Sequence, residues 1–415
     1  MLMPPRSDNA IENKLATPSF LQNPYAVYDQ LREAEPVYWS ESWQSWLLTR
    51  YADVAKVLRD YRSFSSQGTI TRYLDQLPPE NREQVRPLYE HFSSGQVRLD
   101  PPEHTRVRAI TAKAFTPGVV ENMRSRIERV VAELIDAVLP SGRIDLISDF
   151  AAPLPGIVIA ELFGFPPTDR PRFKKWSDEI AAFHGTGAPH PETVLDSQRA
   201  LLKAREWMGG LIADRKKHPR NDLLSRLANA ETEGMRLSEA QLFSSCVTFM
   251  IGGHETTTNL IGNGLYALIQ RPGQLRRLRE DPQNIGDAVE EMLRFDAPTQ
   301  RAHRIAARDI TLDGRVIPKG HLVQAVLGAA NRDPNRFDDP NVFDIGRAQN
   351  RHVAFGLGPH FCPGAALARL ETKIAVPELL RRLPGLRLEN PTAIEYGPNN
   401  FFRGLTALPL AFDTD

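Results

Sequence analysis

The sequence predicts a mainly α-helical fold with small β-sheets. Two observations carry this prediction. Residues 117–290 are dominated by apolar side chains at helical spacing, whereas residues 304–328 alternate as strands do, around a turn at Asp313 and Gly314. Strands are therefore expected only in short segments near the two ends of the chain, with helices between them.

The N-terminal part is predicted to hold a helix and a pair of strands. Residues 1–20 should be loosely ordered. Apolar side chains at helical spacing occupy residues 25–31, and residues 37–39 and 46–48 have the composition of two short strands separated by a polar turn. A small sheet is therefore expected near this end.

The chain that follows is expected to be less regular. A helix is predicted near residues 52–60. Residues 64–99 then mix Gly, Pro, Ser and aromatic side chains, so we expect an irregular segment. Long irregular segments in compact enzymes are often functional.

The longest helix is predicted from Ser238 to about Gln270. Ser238 and Gln241 have the spacing of a capping box, and Pro272 lies just beyond the end. At 1.5 Å per residue this helix would be roughly 50 Å long. It should therefore cross the whole molecule.

The middle of this helix carries two adjacent glycines, Gly252 and Gly253. Glycine is costly inside a helix, so close packing of another helix is the ordinary explanation and a ligand or a kink is the functional one. Glu255 and Thr256 follow at once, and a carboxylate beside a hydroxyl is a pattern suited to proton delivery. A polar patch on a solvent-facing helix is the alternative, although the preceding residues 249–251 are apolar.

Composition excludes several classes of protein. The chain has 415 residues, 41% of them hydrophobic, with 51 basic and 51 acidic side chains, which argues against nucleic-acid or membrane-surface binding driven by bulk charge. The N-terminus has no signal core and no run of about 18 apolar residues. We expect a soluble, cytoplasmic monomer without a membrane anchor.

Domain organisation is predicted to be simple. The length alone suggests two or three domains, but no linker, repeat or low-complexity tract marks a boundary. We therefore expect a single catalytic domain over residues 21–415. The two cysteines leave no disulfide framework.

Cys362 lies in the glycine-rich segment FGLGPHFCPG, residues 355–364, directly before a predicted helix. The glycines allow a tight turn and a close approach to a flat ligand. Pro363 suits a first helical position, and a thiol at a helix N-terminus is favoured as thiolate. A structural cysteine is the alternative. Zinc would want more protein ligands, so a lone thiolate fits haem iron better.

This segment resembles the signature FGxGxHxCxG of the cytochrome P-450 superfamily of haem-thiolate monooxygenases. All six fixed positions match, namely Phe355, Gly356, Gly358, His360, Cys362 and Gly364. The resemblance extends over nearly the whole chain. It implies the triangular-prism P-450 fold and haem b with Cys362 as the axial ligand, which favours cleavage of the O–O bond.

Further matches imply roles for other residues. GGHETT is similar to the family's oxygen-binding motif, which implies that Gly252 borders the haem, that Glu255 relays protons and that Thr256 holds a water or the reduced oxygen. Phe355 and Gly364 would contact the cofactor. Cationic side chains that match family partners of the haem propionates are His104, Arg108, Arg304 and His360.

Glu291 and Arg294 in EEMLRF resemble the family's structural ion pair, completed by Arg347. By itself this spacing is weak evidence, because solvated pairs three residues apart are common on helices. The resemblance implies a buried network that locks the loop before the cysteine. Pro377 departs from the pattern and should kink or shorten the last helix.

Substrate contacts are predicted from the variable regions. Strand alternation counted back from Arg304 places Gln300 on the haem side. Further pocket-lining candidates are Thr69, Ile70, Tyr73, Phe92, Met250, Ile251 and Phe401.

The predicted function is insertion of one oxygen atom of O2 into a hydrophobic small molecule. Electrons would come from a separate ferredoxin or flavodoxin-type protein, with Arg106 and Lys113 as docking candidates. A peroxide-driven haem-thiolate enzyme and a non-catalytic haem-binding sensor or carrier are the alternatives. Glu255 and Thr256 argue against both, and the sequence leaves the substrate open.

Overall fold

The structure is a computed structural model that describes residues 9–169, 190–390 and 394–414, and 172, 175, 176, 179 and 180 between the first two ranges. Its described residues are mainly helical, with small sheets. Its contacts divide the chain into a first unit, residues 1–65, 125–155 and 255–415, and a second unit, residues 66–124 and 156–254. One catalytic domain over residues 21–415 stays a prediction.

The helices are α1 (Asn9–Leu15), α2 (Pro18–Gln22), α3 (Tyr25–Ala34), α4 (Tyr51–Arg59), α5 (Thr71–Leu74), α6 (Pro79–Gln84), α7 (Arg86–Ser94), α8 (Glu103–Ala114), α9 (Pro117–Glu121), α10 (Arg124–Val138), α11 (Pro153–Leu162), α12 (Pro191–Lys217), α13 (Leu223–Asn229), α14 (Glu239–Ile269), α15 (Pro272–Glu280), α16 (Ile285–Phe295), α17 (Leu327–Ala330) and α18 (Ala365–Arg382). Among these described helices, none is long and apolar enough to cross a membrane.

The strands are β1 (Val37–Ser40), β2 (Ser45–Leu48), β3 (Phe64–Ser65), β4 (Arg143–Asp145), β5 (Glu231–Thr232), β6 (Met235–Arg236), β7 (Arg301–Ala306), β8 (Ile310–Leu312), β9 (Arg315–Ile317), β10 (Leu322–Val326), β11 (Arg387–Leu388) and β12 (Pro409–Ala411). In the first unit β1, β2, β10, β7 and β3 form a sheet in that order, and β11, β12 and β4 form another. Asp313 and Gly314 have φ of 47° and 72° in the β8–β9 turn, as predicted.

The five-stranded sheet has a hydrophobic cluster on each face. Trp39 and Trp46 are paired across β1 and β2 and pack with apolar residues of α4. Their neighbours Tyr38 and Leu47 are buried with residues of α1, α2 and α3. This is the alternation expected of strands that are buried on both faces.

Residues 1–20, predicted to be loosely ordered, contain regular helices in their described part. Residues 9–22 form α1 and α2, and Ile11, Leu15 and Phe20 are buried against the sheet cluster that contains Leu47. These helices cover an apolar sheet face, and this burial offsets the entropy of ordering them. Residues 1–8 lie outside the described residues.

The segment 64–99 is also more regular than predicted. It contains α5, α6 and α7, and Leu88 and Phe92 of α7 are buried with the four-residue spacing of one helical face. Its Gly and Pro residues fall at the ends of short helices rather than producing a long irregular loop. The prediction therefore overestimated the effect of composition.

The long helix α14 confirms the predicted capping box. The Gln241 amide N–H donates to Ser238 Oγ at 3.2 Å, and the Ser238 amide N–H donates to Gln241 Oε1 at 3.1 Å. The helix continues without a break through both glycines to Ile269. The predicted start and end are thus correct to within one residue.

The helix after Cys362 corrects two predictions. Gly364 is the N-cap of α18, so Pro363 lies before the helix and not at its first position. Pro377 does not end the helix, which continues to Arg382. Buried side chains on both sides of Pro377, including Val376 and Leu379, hold this helix in place and offset the lost backbone hydrogen bond.

Candidate active site

The Cys362 loop has the backbone conformation that its glycines predict. Gly356 and Gly358 both have φ of 69°, a region that side-chain-bearing residues rarely adopt. A Cβ on Gly358 would lie 2.8 Å from the carbonyl oxygen of Leu58, so the chain also needs glycine there for close approach. The Cys362 amide N–H donates to the Phe355 carbonyl oxygen at 2.9 Å and closes the loop.

The Cys362 thiol is part-exposed and forms no disulfide. It lies three residues before α18, and a Cβ on Gly364 would be 3.8 Å from its sulfur. No group of three or more His, Cys, Asp or Glu side chains among the described residues could hold a metal ion. A single thiolate suits a metal whose other ligands come from a macrocycle.

The two glycines of α14 do different things. A Cβ on Gly253 would lie 3.2 Å from Ile159 Cδ1 of α11, so this glycine allows close helix packing within the second unit. A Cβ on Gly252 would meet no atom within 4 Å, and the residue is exposed. Open space beside the middle of a long helix leaves room for a flat ligand.

Glu255 and Thr256 follow on the same helix. Both are half-buried, whereas the next residues, Thr257 and Thr258, are buried. Both side chains are thus partly accessible on a packed helix, and their role in proton delivery stays a prediction.

The predicted partners of the propionates occur in pairs, one pair in each unit. His104 and Arg108 lie one turn apart on α8 of the second unit, and His104 is buried. In the first unit Arg304 is buried on β7 and donates to the His303 carbonyl oxygen at 2.7 Å. His360 is half-buried in the Cys362 loop.

The predicted ion-pair network is present. Arg294 donates through Nε and Nη2 to the two carboxylate oxygens of Glu291, both at 2.8 Å, and the pair is fully buried. Arg347 Nε lies 3.2 Å from Glu291 Oε2. The amide of Asp344 and the side chain of Asn350 also donate to this carboxylate. These contacts tie residues 344–350, which precede the Cys362 loop, to α16.

The adjacent Glu290 forms a second network that the sequence analysis missed. Arg369 of α18 donates to it through Nε and Nη2 at 2.6 and 2.7 Å, and His352 Nε2 lies 3.1 Å away. Burial would raise the pKa of Glu290, but the hydrogen bonds from Arg369 and His352 outweigh burial and lower it to about 2. The two adjacent glutamates of EEMLRF are visible in the sequence. Nothing in the sequence indicates that the distant Arg369 and His352 bind the first of them.

Some pocket candidates of the second unit lie together. Thr69, Ile70 and Phe92 line one cavity of about 280 Å³, whereas Tyr73 does not line it. Met250 is fully buried and Ile251 half-buried on α14. In the first unit the ring of Phe401 packs on His303 and Phe402, with centroids 5.0 and 4.7 Å apart.

The structure corrects the prediction for Gln300. This residue precedes β7, so strand alternation does not apply to it. Its Nε2 donates to the Ala297 carbonyl oxygen at 2.8 Å and to Tyr25 Oη at 3.4 Å, and its side chain packs against Gly328. Its amide nitrogen is thus engaged by Ala297 and by Tyr25 of α3, and a substrate contact by Gln300 stays a prediction.

The docking candidates are engaged in local contacts. Arg106 pairs with Glu103 at 2.7 Å and donates to Gln241 Oε1 at 2.8 Å. Lys113 is exposed and donates to the Glu231 carbonyl oxygen at 3.0 Å. A docking role for either residue stays a prediction.

Comparison with known proteins identifies the family. The cytochrome P450 family model matches residues 38–391. The chain is similar to the polyketide biosynthesis cytochrome P450 PksS of Bacillus subtilis (strain 168), at 38% identity over 405 residues, which cover 94% of this chain and 96% of that protein. It is also similar to the cytochrome P450 monooxygenase PikC of Streptomyces venezuelae, at 39% identity over 402 residues, which cover 94% of this chain and 91% of that protein.

A solved structure supports the same assignment. The crystal structure of P450BioI in complex with hexadec-9Z-enoic acid ligated acyl carrier protein aligns with a TM-score of 0.88 and 37% identity, over 95% of this chain and all of that chain. With the part-exposed Cys362 in its glycine loop and the buried Glu291 network, these matches show that the chain belongs to the cytochrome P450 family and is a haem-thiolate monooxygenase.

Proposed function

We propose that this enzyme inserts one oxygen atom of O2 into a hydrophobic small molecule, by hydroxylation or epoxidation, with haem b as its cofactor. The part-exposed Cys362 thiol in its left-handed glycine loop carries the proposal, because this loop can present a thiolate to iron. When bound, the haem supplies the activation of O2. The protein supplies the ligand, the protons and the orientation of the substrate.

Glu255 and Thr256 are proposed to deliver protons. Both side chains are half-buried on α14, so they can exchange protons with water while they remain on a packed helix. The Glu255 carboxylate passes a proton inward, and the Thr256 hydroxyl holds a water by hydrogen bonding. Gly252 leaves the space that this helix needs beside a flat cofactor.

Cationic residues are proposed to neutralise the two haem propionates. His104 and Arg108 serve from α8, while Arg304 and His360 serve from the first unit. Burial of Arg304 favours this role, since a buried guanidinium gains most from an anionic partner. Phe355 and Gly364 contact the macrocycle beside Cys362.

Electrons are proposed to come from a separate ferredoxin or flavodoxin-type protein, and the enzyme is proposed to act as a monomer. Exposed Lys113 supports a docking surface on α8 because its charge remains near solvent. Arg106 contributes less charge to such a surface, because Glu103 pairs with it.

The ligand assignment is tested by replacing Cys362 with His. We expect the reduced carbon monoxide complex of the variant to lose the red-shifted Soret band of a thiolate-ligated haem. Cys246→Ser is the control, because Cys246 is fully buried on α14 and burial raises the pKa of its thiol. Retention of the band in Cys362→His would refute the assignment. Substrate-dependent oxidation of reduced nicotinamide with a surrogate ferredoxin system then tests the reaction.

A further inference from the structure

We propose that Arg369 is a positioning residue for the haem ligand Cys362, and that it acts by fixing the ring of Phe355. This inference rests on the proposed function, because it takes Cys362 as the ligand of haem iron. It adds a residue outside the glycine-rich signature that keeps the thiolate in its ligating position. All the residues involved belong to the first unit.

Phe355 is the residue of the loop to which Cys362 is tied. The Cys362 amide N–H donates to the Phe355 carbonyl oxygen at 2.9 Å. Gly356, which follows Phe355, has its backbone in the left-handed region and donates through its amide to the Val353 carbonyl oxygen at 2.8 Å. A rotation of the Phe355 peptide would move Cys362, because the hydrogen bond joins the two residues directly. The position of the thiol therefore depends on how firmly Phe355 is held.

Arg369 holds the ring of Phe355 from α18. Its guanidinium carbon lies 4.5 Å from the centroid of the ring, a distance at which a cation is attracted by the face of an aromatic ring. Arg369 belongs to the helix whose N-cap, Gly364, comes two residues after Cys362. The loop is thus tied to α18 at two points, through the chain at Gly364 and through the ring of Phe355.

Glu290 of α16 fixes the orientation of this guanidinium. Its carboxylate accepts hydrogen bonds from Arg369 Nε and Nη2 at 2.6 and 2.7 Å. Burial would raise the pKa of Glu290, but the hydrogen bonds from Arg369 and His352 lower it to about 2, so the carboxylate is ionised at neutral pH. An arginine held by two parallel charge-assisted hydrogen bonds keeps the orientation that its contact with Phe355 requires.

His352 provides a second connection from Glu290 to the same loop. The Ala354 amide N–H donates to His352 Nδ1 at 3.2 Å, so Nε2 carries the proton and donates to Glu290 Oε2 at 3.1 Å. The His352 side chain is only 3% exposed. Because Ala354 directly precedes Phe355, one carboxylate holds the backbone before Phe355 through His352 and the ring of Phe355 through Arg369.

A general structural role is the competing explanation, in which the pair of Glu290 and Arg369 only joins α16 to α18. The two explanations differ in the transition that they affect. Loss of an ordinary contact between helices would lower the stability of the protein, and thiolate ligation would be lost only together with the fold. Loss of a positioning contact would release the thiolate at urea concentrations at which the protein is still folded.

The experiment follows the reduced carbon monoxide complex of the holoenzyme at increasing urea concentration. Two midpoints are measured, one for loss of the red-shifted Soret band and one for loss of helical circular dichroism. The variant is Arg369→Met, which keeps an unbranched side chain but has no charge and no N–H donor. Arg381→Met is the matched control, because Arg381 donates through the same two nitrogens to Glu378 from the last turn of the same helix.

We expect Arg369→Met to lower the ratio of thiolate-ligated complex to complex without the red-shifted band. At one urea concentration below unfolding, the ratio should fall about 3-fold to 30-fold, as expected for the loss of a cation–π contact. The unfolding midpoint should change much less, and Arg381→Met should leave the ratio unchanged. Arg369→Lys should restore part of the ratio, because an ammonium group can also lie over the ring but lacks the fork.

A double-mutant cycle tests whether Arg369 acts through the ring. Phe355→Leu removes the aromatic face and keeps an apolar side chain. When Arg369→Met is added to Phe355→Leu, the ratio should change by less than about twofold, because the partner of the cation is already gone. An effect of Arg369→Met that is equally large with and without the ring would overturn the inference.

Three further outcomes would overturn it: a wild-type ratio in Arg369→Met, an equal fall in Arg381→Met, or a fall that only follows a parallel shift of the unfolding midpoint. These outcomes are distinguishable from failure of the proposed function. A wild-type enzyme whose reduced complex lacks the red-shifted band would refute ligation by Cys362, and the inference with it. A stable red-shifted band in both the wild type and Arg369→Met would remove only the present inference.

Discussion

The Thr256 hydroxyl can be removed without touching the Cys362 loop, because it lies on α14 and not in that loop. In Thr256→Ala we expect nicotinamide oxidation to continue while hydrogen peroxide rises and product per cofactor oxidised falls about tenfold or more, since one proton-positioning hydrogen bond is lost. Product yield and peroxide are measured with a tightly bound substrate. Thr256→Ser keeps the hydroxyl and should retain most of the yield.

Glu255→Gln should give a different signature, because it interrupts proton supply rather than positioning. Cofactor oxidation and product formation should both slow, with little change in their ratio. If Thr256→Ala forms as much product per cofactor oxidised as the wild type does, the Thr256 hydroxyl has only a structural role.

His91 predicts a pH dependence of stability in the second unit. Burial, assisted by the nearby Arg205, lowers the pKa of His91 to about 4, and its ring packs between Phe92 and Phe243. A lowered pKa means that the neutral ring stabilises the fold fully above about pH 6.5, and that this stability is lost as the pH falls toward 4. At pH 5 the loss is on the order of 2 kcal/mol.

His91→Phe should therefore lose less thermal stability than the wild type between pH 7 and pH 5. The melting temperature of the holoenzyme at both pH values measures this difference. Parallel pH profiles for the two proteins would show that His91 does not titrate with unfolding.

At the scale of elements, the Glu291 network joins α16 to the chain that leads to the Cys362 loop. Glu291→Gln leaves the guanidinium of Arg294, which is fully buried, without its counter-charge. We expect a loss of about 3–5 kcal/mol in unfolding free energy, together with a lower haem content. Thermal unfolding and the ratio of haem to protein are the measurements.

Glu378→Gln is the matched control for this prediction. Glu378 and Arg381 have the same three-residue spacing on α18 and lie 2.6 Å apart, but Arg381 is exposed and Glu378 is part-exposed. The expected loss is below about 1 kcal/mol. Equal losses in the two variants would show that burial of the Glu291 pair has no energetic effect.

At the scale of the whole molecule, Asp296 joins distant parts of the first unit. Its carboxylate accepts hydrogen bonds from Tyr25 Oη at 2.6 Å, Tyr396 Oη at 2.8 Å and Arg403 Nε at 2.6 Å. Arg403 also donates to the Leu21 carbonyl oxygen at 2.7 Å. Burial would lower the pKa of Arg403, but the Asp296 carboxylate outweighs burial and raises it.

Asp296→Asn should loosen the N-terminal helices before the rest of the enzyme unfolds. It leaves Arg403 buried without a counter-charge, so we expect a loss of about 3–5 kcal/mol. Limited proteolysis should cut near residues 9–24 faster than in the wild type. Unchanged cleavage, with only a lower melting temperature, would restrict the role of Asp296 to general stability.

Features encoded within a few residues of one another were predictable from the sequence. The Ser238–Gln241 capping box, the β8–β9 turn and the left-handed glycines before Cys362 all depend on local backbone chemistry. The contact between Glu291 and Arg294 is local as well, because residues three apart share a helical face. The family signature around Cys362 is equally local, which is why the cofactor and reaction class could be inferred early.

Features that depend on distant partners were decided only by the tertiary structure. The order of α1 and α2 depends on an apolar sheet face that the chain forms later, and the orientation of Gln300 depends on Tyr25. Likewise, Arg369 donates a hydrogen bond to Glu290, which lies 79 positions away in the sequence. No sequence pattern around either residue predicts this contact. A hydrogen bond or a buried contact needs the two groups to meet in space, and sequence periodicity describes only the face on which each group lies. The sequence therefore determined which local elements and which reactive loop exist, while long-range packing decided which side chains are available to a ligand.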